Sequence, residues 1–302
     1  MAGYRESVAR LHRPRTAGPA RLRELLAVGE PVLAPGAYDA LSARLVEAAG
    51  FDVVYMPGFG TAAGRLGRPD VGLLDLSEML DNVRRIVAAV DVPVVADADT
   101  GYGNAINVIR TVQEYERAGV SAMHLEDQVA PKRCGHMDGK TCVPVDEFES
   151  KVRAAVDARS EDGPLIIART DARASEGFDA AIERAHRYRA AGADLLFVEA
   201  LQGVDEIARV ATELADVPLL FNWVEGGKTP PIPLGQIAEW GFALVIFPIT
   251  TLLAATGAMQ RTLAAIREHH TPIPILDDLP AFTDMTDTIG LDEIAELRDR
   301  YA

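Results

Sequence analysis

The chain has 302 residues, 48% of them hydrophobic, and 30 Lys and Arg against 45 Asp and Glu, a formal net charge of −15. Such a length can bury a large core within one domain, and the acidic balance leaves no basic surplus for phosphates, which argues against a nucleic-acid partner. No apolar run reaches the roughly 18 residues of a membrane span, and the two cysteines, Cys134 and Cys142, share one short stretch instead of a disulfide framework, which fits a reducing, cytoplasmic setting.

The opening MAGYRESVARLHRPRTAGPA has no apolar signal region. Its arginines admit a transit peptide, but residues 1–20 are read as an extension outside the fold. Beyond it, β-branched runs alternate with amphipathic ones, the pattern of βα units on a parallel sheet. In chain order the predicted strands are PVLAPG, VVYMPG, VPVVADAD, AMHLED, LIIARTD, LLFVEA, PLLFNW and LVIFPI. Helical stretches such as DALSARLVEAAG, LSEMLDNVRRIVAAV, VIRTVQEYERAGV, DEFESKVRAAVDAR and FDAAIERAHRYRAAGAD lie between them, several closing on Ala-Gly as a helix C-cap does. Eight such strands predict a (β/α)8 barrel over residues 21–270, followed by a helical tail over 271–302. The first strand is not followed by Gly-x-Gly-x-x-Gly, so a doubly wound dinucleotide-binding sheet is the weaker reading.

A barrel places its chemistry where strands end, at the C-terminal mouth. Those ends carry Tyr55, then Asp97 and Asp99, then His124, Glu126 and Asp127, then Arg169 and Asp171, then Glu199 and Asn222. Taken singly, Asp127 or Asp171 reads as a helix cap or loop carboxylate, but the convergence of the whole set points to a site. Converging carboxylates raise one another's pKa unless a cation joins them. Asp97 and Asp99 lie two apart and share a face of their strand, with Glu126 on the next strand. Hard oxygen donors without a His or Cys cluster favour Mg²⁺, or Mn²⁺, over zinc.

The segments VLAPGAYDALSARL, DADTGYGN, HLEDQVAPKRCGH, IIARTDA and EGGKTP, in this order, resemble the isocitrate lyase and phosphoenolpyruvate mutase superfamily, especially its short-chain lyases. The resemblance implies that Asp97 holds Mg²⁺ directly and that Asp70, Asp99 and Glu126 reach it through waters. It further implies that Arg169 and His124 face substrate oxygens beside Tyr55, with Glu199 and Asn222 binding or supporting the substrate carboxylate. Lys132, Arg133, Cys134, Gly135 and His136 match a mobile gating loop whose cysteine protonates a carbanion-like intermediate. The implied reaction is Mg²⁺-dependent cleavage of a 2-hydroxy di- or tricarboxylic acid to a 2-oxo acid and a carboxylate. A phosphonomutase of the carboxyphosphonoenolpyruvate kind and an oxaloacetate-cleaving enzyme are the alternatives, and a non-catalytic binding relative would have no use for these groups together.

Two cations and a histidine around Cys134 are expected to favour its thiolate; Cys142 matches no motif and is read as a bystander. The stretch YMPGFGTAAG departs from the resemblance, because Pro57 stands where a Ser or Thr usually precedes Gly58 and so removes a donor to substrate. With Phe59 beside it, a drier and tighter pocket is expected, for an acid smaller or more apolar than 2-methylisocitrate. EGGKTP lacks phosphate-loop spacing and is read as a loop over the mouth with Lys228 toward solvent. LLAATGAMQRTLAAIREHH reads as a long apolar helix and LDEIAELRDRYA as an amphipathic tail. The resemblance implies a homotetramer in which the last barrel helix is exchanged between subunits.

Overall fold

The computed structural model describes residues 18–302. All eight anticipated strands form: β1 (Val32–Pro35), β2 (Val54–Met56), β3 (Val94–Asp97), β4 (Ala122–Glu126), β5 (Leu165–Thr170), β6 (Leu195–Val198), β7 (Leu220–Asn222) and β8 (Leu244–Phe247). Parallel ladders run from β2 through β6, and β8 lies between β7 and β1. Single parallel bridges, Gly36 with Tyr55 and Leu196 with Leu219, join the two ladders into one closed (β/α)8 barrel.

The two-residue period of a strand sorts its side chains between two layers. Val53, Val95, Ala122, Leu165, Ile167, Leu195, Phe197, Leu220, Leu244 and Ile246 fill the barrel interior. Their neighbours, among them Val54, Val94, Met123, Ile166, Leu196 and Phe221, pack outward against the helices. Local sequence starts those helices: α2 (Ala40–Ala48), α4 (Leu76–Ala89) and α5 (Ala105–Ala118) each open on a reciprocal capping box, built from Asp39 with Ser42, Asp75 with Glu78, and Asn104 with Asn107.

The extension predicted over 1–20 falls mostly outside the described residues. Its last residues, Pro19 and Ala20, lie in the first turn of α1 (Pro19–Leu26), which begins with a proline. Leu22 of α1 is fully buried with the interior cluster and closes the barrel floor, so this segment belongs to the fold. A short helix α3 (Gly58–Leu66) follows β2 where the glycine-rich stretch gave no helical signal. The remaining barrel helices are α6 (Val145–Ala158), α7 (Ala172–Ser175), α8 (Phe178–Ala190), α9 (Val204–Glu213) and α10 (Leu234–Glu239).

After β8 the chain forms α11 (Thr250–His269), a 3-10 turn, α12 (Phe282–Thr288) and α13 (Leu291–Tyr301). No residue of these helices is buried. Apolar side chains as large as Leu263 and Phe282 are exposed, at 64% and 83%.

Candidate active site

A cavity of about 240 Å³ opens at the C-terminal mouth. Tyr55, Asp70, Asp97, Cys134, His136, Arg169, Glu199, Asn222 and Glu225 give it a polar side, while Pro57, Phe59, Met137, Val224, Pro248 and Ile249 give it an apolar one. The polar residues emerge from the inward period of the strands, two positions beyond the last apolar one. Val95 is followed by Asp97, Ala122 by His124 and then Glu126, Ile167 by Arg169, and Leu220 by Asn222.

Asp97 accepts the amide protons of Gly58 at 2.9 Å on Oδ2 and of Asp99 at 2.9 Å on Oδ1. A Cβ at position 58 would come within 2.5 Å of that Oδ2, so glycine there permits the approach. Pro57, at the start of α3, supplies no donor but lines the cavity, and the Gly58 amide serves Asp97. Burial would raise the Asp97 pKa, but His124, Lys132 and Arg169 outweigh it and hold the carboxyl at about 2. His124 Nε2 lies 2.8 Å from the Tyr55 hydroxyl and 3.6 Å from Asp97 Oδ1. Burial lowers its pKa to about 4, which keeps the imidazole neutral.

Asp97, His124 and Glu126 bring ligand atoms within 4.8 Å of one another, all buried. Both Glu126 oxygens lack a hydrogen-bond donor, because Arg169 Nη1, 3.2 Å away, is off the bonding direction. Burial pushes the Glu126 carboxyl well up, against the pull of Arg169. A buried carboxylate without donors beside a second carboxylate fits a divalent cation. Asp70 and Asp99, expected in the same metal set, both grip Lys132 Nζ at 2.7 Å. Asp99, at φ 47, is pushed up to about 7 by burial, opposed by Lys132 and assisted by Asp97 and Asp70.

Arg169 is held by three carboxylates: Asp171 at 2.9 and 3.1 Å, Glu126 at 3.2 Å and Glu199 at 3.3 Å. Its guanidinium lies 5.1 Å from the centre of the Phe197 ring. Asn222 Nδ2 donates to Glu199 at 3.1 Å. Asp127 faces away from the cavity. It is a buried hub that accepts from Thr170 Oγ1, Tyr188 OH and the Asp171 amide at 2.7, 2.8 and 2.9 Å.

The cysteine loop lies folded into the mouth. Lys132 and Gly135 are buried, and the Cys134 amide donates to the Asp70 carbonyl at 3.1 Å. His136 Nδ1 accepts from the Lys228 amide at 3.0 Å, so its Nε2 carries the proton facing Glu199 Oε1, 3.4 Å away. Lys228 lies at the surface, where its ammonium pairs with the exposed Asp138. The expected thiolate is corrected: burial pushes the Cys134 thiol up to about 11, and Asp70 adds to the shift. Its expected cations are engaged elsewhere, Lys132 with two aspartates, while Arg133 is exposed. Cys142 contacts Asp127 and Ser175 and is absent from the cavity wall.

Sequence reasoning passed over Lys140. Its ammonium is fully buried, donates to the Gly135 carbonyl and pairs with Asp171 at 2.7 Å. A lysine between Gly139 and Thr141 of a loop carries no sequence signal of burial.

A barrel whose mouth joins a carboxylate cluster, one guanidinium and a thiol-bearing loop defines an enzyme of small anionic substrates. The sequence profile of the family described as phosphoenolpyruvate phosphomutase matches residues 22–267. A 2,3-dimethylmalate lyase of Eubacterium barkeri is 45% identical over 283 residues, 94% of this chain and 98% of the relative. A 2-methylisocitrate lyase of Aeropyrum pernix is 46% identical over 269 residues, 89% of this chain and 86% of the relative. Among solved structures, an oxaloacetate acetylhydrolase bound to 3,3-difluorooxalacetate matches with TM-score 0.89 and 39% identity, covering 94% of this chain and 97% of that one. A phosphonopyruvate hydrolase with oxalate and Mg²⁺ matches with TM-score 0.86 and 31% identity, covering 95% and 99%. The chain belongs to the phosphoenolpyruvate mutase and isocitrate lyase superfamily.

Proposed function

We propose that this enzyme is a carbon–carbon lyase that cleaves an alkyl-substituted 2-hydroxy dicarboxylic acid of the 2,3-dimethylmalate kind to a 2-oxo acid and a simple carboxylate. The observation that carries the reading is the place of Cys134 in the wall of the cavity that Arg169 and Asp97 also line, where burial pushes its thiol up to about 11 and favours the protonated form. For dimethylmalate the C2 hydroxyl passes its proton to a carboxylate of the cavity wall and the C2–C3 bond breaks, its electron pair leaving with C3, to give pyruvate and a three-carbon enediolate. Cys134 supplies the proton that turns this fragment into propionate, which a thiol loaded at neutral pH can do. Arg169 spreads the charge of the departing fragment, and the closed loop excludes water. Phe59, Pro57, Val224 and Ile249 form the wall for the alkyl groups. Arg169 is the one guanidinium or ammonium group in that lining, which favours a dicarboxylate over a tricarboxylate.

Asp97 and Glu126 would hold Mg²⁺, with His124 beside them, while Asp70 and Asp99 hold Lys132. When bound, the ion neutralises the substrate carboxylate and hydroxyl oxygens. The Mg²⁺ and oxalate in the phosphonopyruvate hydrolase support this choice. The likeness to oxaloacetate acetylhydrolase favours a second reading, hydrolytic cleavage of oxaloacetate in the same cavity.

The exposed apolar side chains of α11, Leu253, Met259, Leu263 and Ile266, support a homo-oligomer, read as a tetramer with this helix exchanged between subunits. No helix among the described residues is long and apolar enough to cross a membrane. Two free cysteines, one of them needed as a thiol, support a cytoplasmic setting.

The test is 2-oxo acid release from 2,3-dimethylmalate, 2-methylisocitrate and a phosphonopyruvate, and oxalate release from oxaloacetate, with and without Mg²⁺, beside Cys134→Ser. Mg²⁺-dependent cleavage of dimethylmalate that collapses in the variant is expected. Turnover of oxaloacetate alone moves the enzyme to the second reading, and turnover of the phosphonate alone overturns both.

A further inference from the structure

We infer that Lys140 is a positioning residue that makes closure of the cysteine loop and the aim of Arg169 a single event. Lys140 belongs to the loop, yet its ammonium is turned inward beneath the loop tip and shows no exposed surface. One of its contacts is the Gly135 carbonyl, next to Cys134. Another is Asp171 Oδ1, at 2.7 Å. Asp171 in turn holds Arg169 through Nε at 2.9 Å and Nη2 at 3.1 Å, and it is itself fixed by the Asp127 carboxylate at its amide. Loop tip, lysine, aspartate and arginine thus form one unbroken chain of hydrogen bonds.

Gly135 shows why this chain is tight. A Cβ there would fall 2.5 Å from Arg169 Nη2 and 2.5 Å from the Glu199 carboxyl carbon, so the backbone itself rests against both groups. In this packing the Lys140 ammonium takes up the Gly135 carbonyl, which fixes the backbone against both groups. Without it the buried Gly135 carbonyl would lose its donor, and a buried carbonyl left without a partner opposes closure. A second cation held by Asp171 also matches the charge balance, because Arg169 alone faces Glu126, Asp171 and Glu199. When Lys140 is replaced, Asp171 still has Arg169 as a counter-cation, so the barrel is not left with an unpaired buried carboxylate, but the arginine loses the link that ties its aim to the loop.

The inference rests on the lyase reading only for its kinetic arm. The experiment compares the parent enzyme with Lys140→Met and Lys140→Gln, measuring kcat and KM for 2,3-dimethylmalate and deuterium exchange of the 131–141 backbone with and without Mg²⁺ plus oxalate. Misplacing a proton donor and an arginine by about 1 Å lowers kcat on the order of 10²-fold, with a KM change of about 3-fold or less. Loop exchange in Lys140→Met should be fast and no longer slowed by oxalate, while exchange in the barrel strands stays at the parent rate. Lys140→Gln, which keeps an N–H donor for Gly135, should recover part of both losses. Equal loop protection in parent and Lys140→Met overturns the inference, as does faster exchange throughout the barrel in both variants, which marks a residue that only supports the fold. A parent enzyme that cleaves none of the acids sinks the lyase reading, and the exchange data still decide the role of Lys140.

Discussion

The same strands build the floor and the mouth of this barrel, and the two ends differ by two or three residues of sequence. At the floor, Val95, Ala122, Leu165, Ile167 and Leu22 meet in a dry plug. At the mouth, Asp97, His124, Glu126, Arg169 and Glu199 are as deeply buried, but they pair with one another, save the Glu126 oxygens and His124 Nδ1, which have no hydrogen-bond partner. Burial is therefore common to both ends, and it does opposite work. Below, it removes apolar area from water and stabilises the fold. Above, it displaces pKa values and sharpens charges at a free-energy cost that the plug offsets.

The strongest way to break this division is to change one mouth residue and look for lost stability. Cys134→Ala should lower kcat by about 10²–10⁴-fold, the range of a removed general acid, and leave the melting temperature close to that of the parent. A large drop in melting temperature would mean that the loop thiol is part of the plug's work. The complementary change is Ile167→Ala, which should cost about 2–5 kcal/mol of stability in denaturant unfolding, with KM for the surviving folded enzyme nearly unchanged.

A smaller effect sharpens the picture within the mouth. Phe59→Ala enlarges the apolar wall, and the ratio of kcat/KM for 2-methylisocitrate over dimethylmalate should rise about 10-fold or more, the scale of a pocket contact. An unchanged ratio would remove Phe59 from substrate selection. The smallest effect is a displacement along the pH axis. The acid must be protonated, burial raises its pKa, and so the alkaline fall in kcat should come near pH 11 and not near the ordinary thiol value of about 8.5. A fall centred on the ordinary value would show that Cys134 is wetter than the geometry indicates.

How much of this was legible beforehand follows from what sequence encodes. The eight strands were readable because β-branched runs recur between helical periods, and the mouth residues because each extends the inward alternation of its strand. The superfamily was readable from motifs kept in order. Thiolate or thiol at Cys134 was not, because the neighbours in sequence, Lys132 and His136, turn to Asp70, Asp99 and Glu199 in space. Lys140 was silent for the same reason: only the fold turns a loop lysine inward. Helix α3 was hidden by three glycines in GFGTAAGRL, which carry low helical propensity and are tolerated because the segment packs under the mouth.

The closure of the barrel has a consequence for how the enzyme comes into being. β1 pairs with β8, Val32 beside Leu244, so the ring is sealed by partners from far-separated parts of the chain. Asp97, Glu126, Cys134, Arg169 and Glu199 have all left the ribosome before that final strand exists. Until it docks they lie along an unsealed, curling sheet, and joining its edges carries the entropy of the longest loop in the ring. The closed ring that gathers the site therefore needs β8, and a nascent chain stopped short of residue 244 would hold nearly every reactive group without that closure.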